Sequence, residues 1–316
     1  LSIEPALHPD LRSEAGPLSS PAAGLAAALA AALAPVPGRA LSAALIGRGI
    51  GESRTPRMHR AEGARLGLDY GYELVDFDRL GLPDTALPVA VAEARRLGLA
   101  GLNVTHPFKQ AVIPLLDAVA PDAAAIGAVN TIVFADGRAT GHNTDCWGFA
   151  ESFRRSMAGA PLGRVVLVGA GGGGMAVGRA LLDLGVEQLA IFDVDAGRAA
   201  AVAERLGRGD GAGRVTAAAD VAEALGRADG LVNSTPMGMA KYPGLPVPAT
   251  ALRADLWVAD IVYFPAETAL LATARATGCR VLPGKGMAIF QAVKAFALFT
   301  GRTPDAEEMT RHFGAP

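Results

Sequence analysis

From residue 41 onward, short apolar runs alternate with segments whose apolar residues recur at helical spacing. Leu41 to Ile46 is apolar enough for a buried strand, and after a glycine-rich turn Pro56 to Leu66 carries the helical period up to Gly67. Tyr72 to Phe77 predicts a second strand, Val89 to Leu97 a helix, and Gly101 to Val104 a third strand leading into a helix opened by Pro107. A second series starts at Arg164, with strands expected at Val165 to Val168, Leu189 to Phe192, Val215 to Ala217, Leu231 to Asn233 and Val258 to Ile261. The amphipathic segment Ala288 to Leu298 then predicts a helix that returns to the first half. Such alternation argues for parallel sheets covered by helices, and the second series has a Rossmann-like strand count.

The expected fold class is therefore α/β, with two α/β domains. Residues 1–40 form an N-terminal extension, and residues 41–149 a domain with a mostly parallel sheet, completed by a C-terminal helix over 287–316. Residues 150–286 form the Rossmann-like domain, and a helix from Cys146 to Ser156 bridges the two. With 316 residues and 51% apolar composition, the chain can bury two modest cores. Its apolar segment from Gly24 to Pro35 is mostly alanine and, at about a dozen residues, too short to span a bilayer. It lacks the basic start of a signal peptide, so a cytoplasmic location is expected, with the extension packed as a helix or mobile and without chemistry.

Charge removes further classes. The 29 basic and 31 acidic residues leave a formal charge of -2 without a dense basic stretch, so neither nucleic acid nor membrane is expected as a partner. Cys146 and Cys279 lie far apart, and His8, His59, His106, His142 and His312 never pair at metal-ligand spacing. Reduced thiols and no metal are expected.

Gly169, Gly171 and Gly174 match G-x-G-x-x-G between an apolar strand and a helix-compatible stretch, within the run Gly169-Ala170-Gly171-Gly172-Gly173-Gly174. Glycine lets a pyrophosphate approach the backbone without meeting a Cβ, and the helix start offers free N–H groups to the anion. Asp193 follows about 20 residues later, where a carboxylate accepts hydrogen bonds from the adenosine ribose and repels a 2'-phosphate, favouring NAD. Asp193 could instead cap the helix starting near Ala196, a role Asp195 could also take. Ser234, Thr235, Pro236 and Met237 follow another strand, where a loop lines the nicotinamide or simply turns at Pro236 and Gly238.

Three polar clusters carry the candidate chemistry. In Ser53-Arg-Thr-Pro, Thr55 fits the N-cap and Pro56 the first helical position, and the hydroxyls of Ser53 and Thr55 can add to the helix start to hold a carboxylate. In Asn103-Val-Thr-His-Pro-Phe-Lys, Lys109 falls in the first turn of the helix expected after Pro107, where the macrodipole disfavours an ammonium and suits proton transfer. In His142-Asn-Thr-Asp, Asp145 is either another N-cap or, meeting Lys109 across a cleft, the second half of an acid/base couple.

These clusters, with Gly127-Ala-Val-Asn-Thr and Gly169-Ala-Gly-Gly, resemble the shikimate dehydrogenase family in type and order, over nearly everything from Leu41 to the C-terminus. The resemblance implies a dehydrogenase acting on a ring hydroxyl of quinate or shikimate, in quinate catabolism or aromatic amino acid biosynthesis. It implies Lys109 and Asp145 as the catalytic pair, with Ser53, Thr55, Thr105, Asn130, Tyr263 and Gln291 holding the substrate. Gly286 joins the cofactor-facing set. NADP-linked members carry Asn-Arg-Thr where this chain has Asp193-Val-Asp195, and Ser-x-Ser where it has Ser53-Arg-Thr55; both departures resemble the NAD-using quinate/shikimate dehydrogenases. Alternatives are an NADP-tolerant biosynthetic enzyme, a relative acting on an amino-substituted ring, and a non-catalytic NAD-binding regulator. Either a monomer or a homodimer is compatible with the sequence.

Overall fold

The computed structural model describes residues 21–34 and 40–314. Most of the expected N-terminal extension lies outside the described residues, but α1 (Pro21–Leu33) is a helix that packs on the first domain, with Leu29 and Leu33 fully buried. Alanine-rich segments gain little from a narrow apolar stripe, so the two leucines one turn apart anchor this helix.

The first sheet contains β1 (Leu41–Gly47), β2 (Tyr70–Asp76), β3 (Gly101–Val104), β4 (Ala118–Val119), β5 (Thr131–Ala135) and β6 (Arg138–His142), in the order β2-β1-β3-β5-β6-β4. All neighbours are parallel except that β5 runs against both β3 and β6. Hydrophobic alternation did not reveal β4, β5 and β6. For the β5–β6 hairpin the usable signal is Asp136-Gly137, a two-residue turn in which both φ angles are positive, 50° and 71°.

Along β1, Ala44 and Ile46 face a core shared with α1 and α3 (Leu87–Arg96), and Ala43 and Leu45 face the opposite core. That second core is built with α2 (Thr55–Arg65), α10 (Lys285–Thr300) and α11 (Ala306–Gly314). The single C-terminal helix expected over 287–316 is thus two, because Gly301 ends α10 in the left-handed region at φ +66° and Pro304 follows it. Period-two strands buried on both sides explain why these runs are apolar throughout.

Between the two sheets run α4 (Pro121–Ile126) and α5 (Thr144–Ser156). The second sheet holds β7 (Arg164–Val168), β8 (Gln188–Phe192), β9 (Val215–Ala217), β10 (Gly230–Asn233), β11 (Trp257–Asp260) and β12 (Arg280–Leu282), all parallel in the order β12-β11-β10-β7-β8-β9. This is the doubly wound Rossmann-like arrangement, and β12 is a strand that the apolar runs did not predict. One face packs on α5, α6 (Gly172–Asp183) and α7 (Ala196–Leu206), the other on α8 (Val221–Leu225) and α9 (Ala269–Thr277).

No helix forms at Pro107. Residues 107–112 make successive turns, and a short 3-10 turn covers Ile113–Leu115. Pro114 is the physical reason: in a helix begun at Pro107 its ring would collide with the carbonyl four residues earlier. Less than two turns remain between the prolines, too few to repay nucleation. Among the described residues no helix is long and apolar enough to cross a membrane.

Candidate active site

Most of the expected site residues lie just beyond the carboxyl ends of strands of the two sheets, and Tyr263, beyond β11, interacts electrostatically with Lys109 and Asp145 of the first domain. From β1, residues 48–52 lead into α2. The buried Asp76 carboxylate at the end of β2 shapes that loop, accepting from Gly49 N–H at 3.0 Å and Ile50 N–H at 2.9 Å. Ser53 and Thr55 follow, half-buried. Thr55 is the first helical residue rather than the N-cap. Arg54 takes the cap position without a side-chain bond, and Ser53 Oγ accepts from Thr55 N–H at 3.4 Å. The Ser53 hydroxyl reaches forward to the N–H of the first helical residue, and the cap position falls one residue upstream of Thr55, on Arg54.

From β3 comes Thr105, whose backbone N–H donates to Ile46 at 3.0 Å, and then the turn bearing Lys109. Because no helix opens there, the macrodipole account of Lys109 does not apply. Its amine meets a carboxylate instead: Lys109 Nζ donates to Asp145 Oδ2 at 2.6 Å, with the two side chains 24% and 10% exposed. Asp145 is not the cap of α5. That role belongs to Asn143, whose side-chain oxygen accepts from Asp145 N–H at 3.1 Å and Cys146 N–H at 3.2 Å, leaving the Asp145 carboxylate for the amine.

Asn130 lies at the start of β5, 3% exposed, and its Oδ1 accepts from Thr144 N–H at 2.7 Å. Gln291 is on α10 beside the first turns of α5, where Gly148 approaches its backbone nitrogen; its side chain donates to the Ala288 carbonyl at 3.0 Å. Tyr263 follows β11 on the opposite wall, 44% exposed. Burial against that wall raises its phenol pKa, with Lys109 opposing and Asp145 adding, so its hydroxyl shares the electrostatic neighbourhood of the pair. The buried Asp260 carboxylate holds this loop, accepting from Val262 N–H at 3.0 Å and the Thr268 hydroxyl at 2.7 Å.

The glycine run leaves β7. Gly169 has φ +102°, a conformation open to glycine, and a Cβ there would press on Ser234 at 2.9 Å. A Cβ at Gly174 would run into the Gly169 carbonyl, whereas one at Gly171 or Gly172 would meet nothing within 4 Å. The start of α6 is thus open and lacks a side-chain cap, which fits a pyrophosphate on its free N–H groups. Gly173 packs towards Ile261. Asp193 follows β8: Oδ2 accepts from Ala170 N–H at 2.8 Å and Oδ1 pairs with Arg198 at 2.9 Å. Desolvation pushes this carboxyl up, but the N–H groups of Ala170 and Asp195 and the Arg198 charge together hold it below its ordinary value. Asp195, not Asp193, caps α7. Sequence spacing missed Arg198, although its place in the first turn of the helix after Asp193 is the signal that finds it.

The loop after β10 is stapled from within. Ser234 Oγ donates to the Gly169 carbonyl at 2.7 Å, and Thr235 Oγ1 to Asn233 Oδ1 at 2.6 Å. Asn233 Nδ2 also reaches the Met237 carbonyl at 3.1 Å, which places Pro236 and Met237 at the cleft edge of the sheet. Gly286 faces α5, where a Cβ would strike the Ser152 hydroxyl, so helix approach alone requires glycine there. Burial pushes the Cys146 thiol up to about 12, which removes it as a nucleophile.

Comparison with known proteins finds relatives along most of the chain. A family model for the shikimate dehydrogenase substrate binding domain matches residues 45–132, and one for the shikimate 5'-dehydrogenase C-terminal domain matches residues 284–312. The chain is 55% identical over 267 residues to the shikimate dehydrogenase (NADP(+)) of Streptomyces avermitilis, covering 84% of this chain and 92% of that one. It is 48% identical over 272 residues to the quinate/shikimate dehydrogenase (NAD(+)) of Corynebacterium efficiens, covering 85% and 96%. Among solved structures, quinate dehydrogenase from Corynebacterium glutamicum in complex with NAD superposes with a TM-score of 0.81 at 45% identity, covering 86% of this chain and 98% of that one.

Proposed function

The chain belongs to the shikimate dehydrogenase family, and from that premise we propose that it catalyses the reversible, NAD-linked oxidation of a ring hydroxyl of quinate, shikimate or both to the 3-dehydro ketone. The observation that carries the reading is the Lys109–Asp145 pair at 2.6 Å, at the carboxyl edge of the first sheet and in electrostatic reach of Tyr263 beyond β11 of the second. Ser53 and Thr55 hold the ring carboxylate at the start of α2. Thr105, Asn130, Tyr263 and Gln291 complete the substrate wall, with Asn130 and Asp145 orienting ring hydroxyls.

The dinucleotide, when bound, supplies the hydride acceptor. Gly169 to Gly174 and the start of α6 hold its pyrophosphate, Asp193 the adenosine ribose, and Ser234 to Met237 the nicotinamide end. Lys109 in its amine form takes the proton of the ring hydroxyl at Nζ, while Asp145 Oδ2 keeps that nitrogen aimed and stabilises the ammonium produced. Placing the ring between the two sheets removes most of the orientational cost of the reaction and excludes water.

The NAD preference is supported by the Asp193 carboxylate, which would repel a ribose 2'-phosphate. A second reading, an enzyme that also accepts NADP, is supported by Arg198, whose guanidinium stands 58% exposed beside Asp193, and by the 55% identical NADP(+) relative. Initial rates on quinate and shikimate with each dinucleotide decide between them. The expected result is turnover of at least one acid with kcat/KM for NAD about tenfold or more above that for NADP. Equal or inverted preference discards NAD linkage, and no turnover of either acid discards the reaction. In the same assay Lys109→Ala is expected to lose about 10²- to 10⁴-fold in kcat with NAD affinity unchanged.

A further inference from the structure

Segment 128–131 grips both halves of the amine–carboxylate pair. Val129 N–H donates to the Lys109 carbonyl at 2.8 Å, and Thr144 N–H, adjacent to Asp145, donates to Asn130 Oδ1 at 2.7 Å. Behind this segment runs a buried polar chain that ends on Asn130, and to its other members the proposed reaction assigns no role. The Tyr72 hydroxyl donates to Asn103 Oδ1 at 2.7 Å, and Asn103 Nδ2 donates to Thr131 Oγ1 at 2.9 Å and to the Asn130 carbonyl at 3.3 Å. Thr131 Oγ1 donates to Asn130 Oδ1 at 3.0 Å, and Asn130 Nδ2 to Thr144 Oγ1 at 2.9 Å. None of these five residues is more than 3% exposed.

The bond directions follow from two backbone groups. A carbonyl can only accept, so the Asn103 atom facing the Asn130 carbonyl is nitrogen; a backbone N–H can only donate, so the Asn130 atom facing Thr144 N is oxygen. With both amides oriented, Tyr72 must donate to Asn103, and Thr131, receiving from Asn103, has its own proton for Asn130 Oδ1 at 3.0 Å, nearer than Thr144 Oγ1 at 3.3 Å, while the Thr144 hydroxyl also stands 3.2 Å from Asn130 Oδ1. That oxygen then has both lone pairs engaged. What Asn130 retains is one N–H, for which no partner is found among the described residues.

We propose that Tyr72 and Thr131 are positioning residues that, with the Thr144 N–H, keep Asn130 Oδ1 occupied and its amide still, so that Asn130 serves the ring only as a donor and the site selects a ring acid offering an oxygen to this amide over one offering an ammonium group. An ammonium carries only donors, and would leave two N–H groups facing each other without an acceptor. The inference rests on the reading of quinate or shikimate as substrate.

The test measures dissociation constants in the presence of NAD for quinate, shikimate and shikimate analogues with each ring hydroxyl in turn replaced by an amine. The proteins compared are the unsubstituted enzyme, Thr131→Val, Thr131→Ser and Tyr72→Phe. The unsubstituted enzyme is expected to bind at least one amino analogue about tenfold or more weakly than its parent. Thr131→Val and Tyr72→Phe are expected to bind the hydroxy acid about tenfold more weakly and to lose most of that discrimination, with KM raised and kcat nearly unchanged. Thr131→Ser, which keeps the hydroxyl, is expected to restore both, and unchanged NAD affinity reports a folded protein. Should Thr131→Val fail to fold, Tyr72→Phe, which removes one oxygen and no carbon, carries the same test. Variants that bind and discriminate like the parent overturn the inference and leave the substrate reading standing. Failure of the parent to bind either hydroxy acid overturns the substrate reading and this role with it.

Discussion

Single side chains in this protein are decided by what lies opposite them rather than by what lies beside them in the chain. Lys109 and Asp145 are 36 positions apart, yet their side chains touch. His59 illustrates the same point away from the site. It is fully buried, with Nδ1 3.0 Å from the Tyr70 hydroxyl, the Tyr72 ring 4.3 Å from its own and, among the described residues, no hydrogen-bond partner for Nε2. Burial lowers its pKa from 6.5 to about 3. Between those values the unfolded chain holds a proton that the folded one refuses, so lowering the pH through this window costs stability, up to about 1.4 kcal/mol per unit. The melting temperature is therefore expected to fall as pH drops from 6.5, and His59→Gln, which cannot titrate, should flatten that part of the profile. Parallel profiles for the two proteins would exclude His59 as the cause.

Elements bring their own consequences. α5 begins at Asn143, which satisfies two of its free N–H groups and fixes the rotation at which Asp145 enters the cleft. Asn143→Ala removes that cap and also the bond from Asn143 Nδ2 to the Ala128 carbonyl at 3.0 Å. A loss of about 1–2 kcal/mol is expected from denaturant unfolding, together with a drop in kcat larger than any change in NAD affinity. Conversely, α6 begins without a side-chain cap, and its free N–H groups suit it to an anion. The two helices have opposite start chemistry because one presents a side chain and the other its backbone.

At the scale of the whole molecule, the two sheets are joined by α5 lying against α10. Their backbones come close because Gly148 and Gly286 have no Cβ; one at Gly148 would stand 2.7 Å from the Gln291 backbone nitrogen. On the far side Arg205, on α7, donates to the carbonyls of Ala125 at 2.9 Å and Ala124 at 2.8 Å, tying the dinucleotide-side domain to the end of α4. Gly148→Ala is expected to push α5 off α10, costing about 1–3 kcal/mol in denaturant unfolding and lowering turnover by displacing Asp145 relative to the second sheet. An unaltered melting point and kcat would mean that this seam does not set the site.

Much of this was legible in the chain itself. Local periodicity predicted most strands and helices, including the α10 segment, because burial imposes a period of two or 3.6 wherever an element meets a core. Glycine positions marked the turn after β7 because only a missing side chain permits that approach. The short β4, β5, β6 and β12 escaped such patterns, and the helix expected after Pro107 gave way to a turn because Pro114 cut it short. Caps moved upstream by one or two residues, from Thr55 to Arg54 and from Asp145 to Asn143, because the helices begin earlier than the spacing suggested. Spacing along one dimension says which groups exist and which local shapes they favour. Whether an amine meets a carboxylate, or a threonine hydroxyl points at an asparagine, depends on the register between distant strands, and only the packed tertiary structure sets that distance.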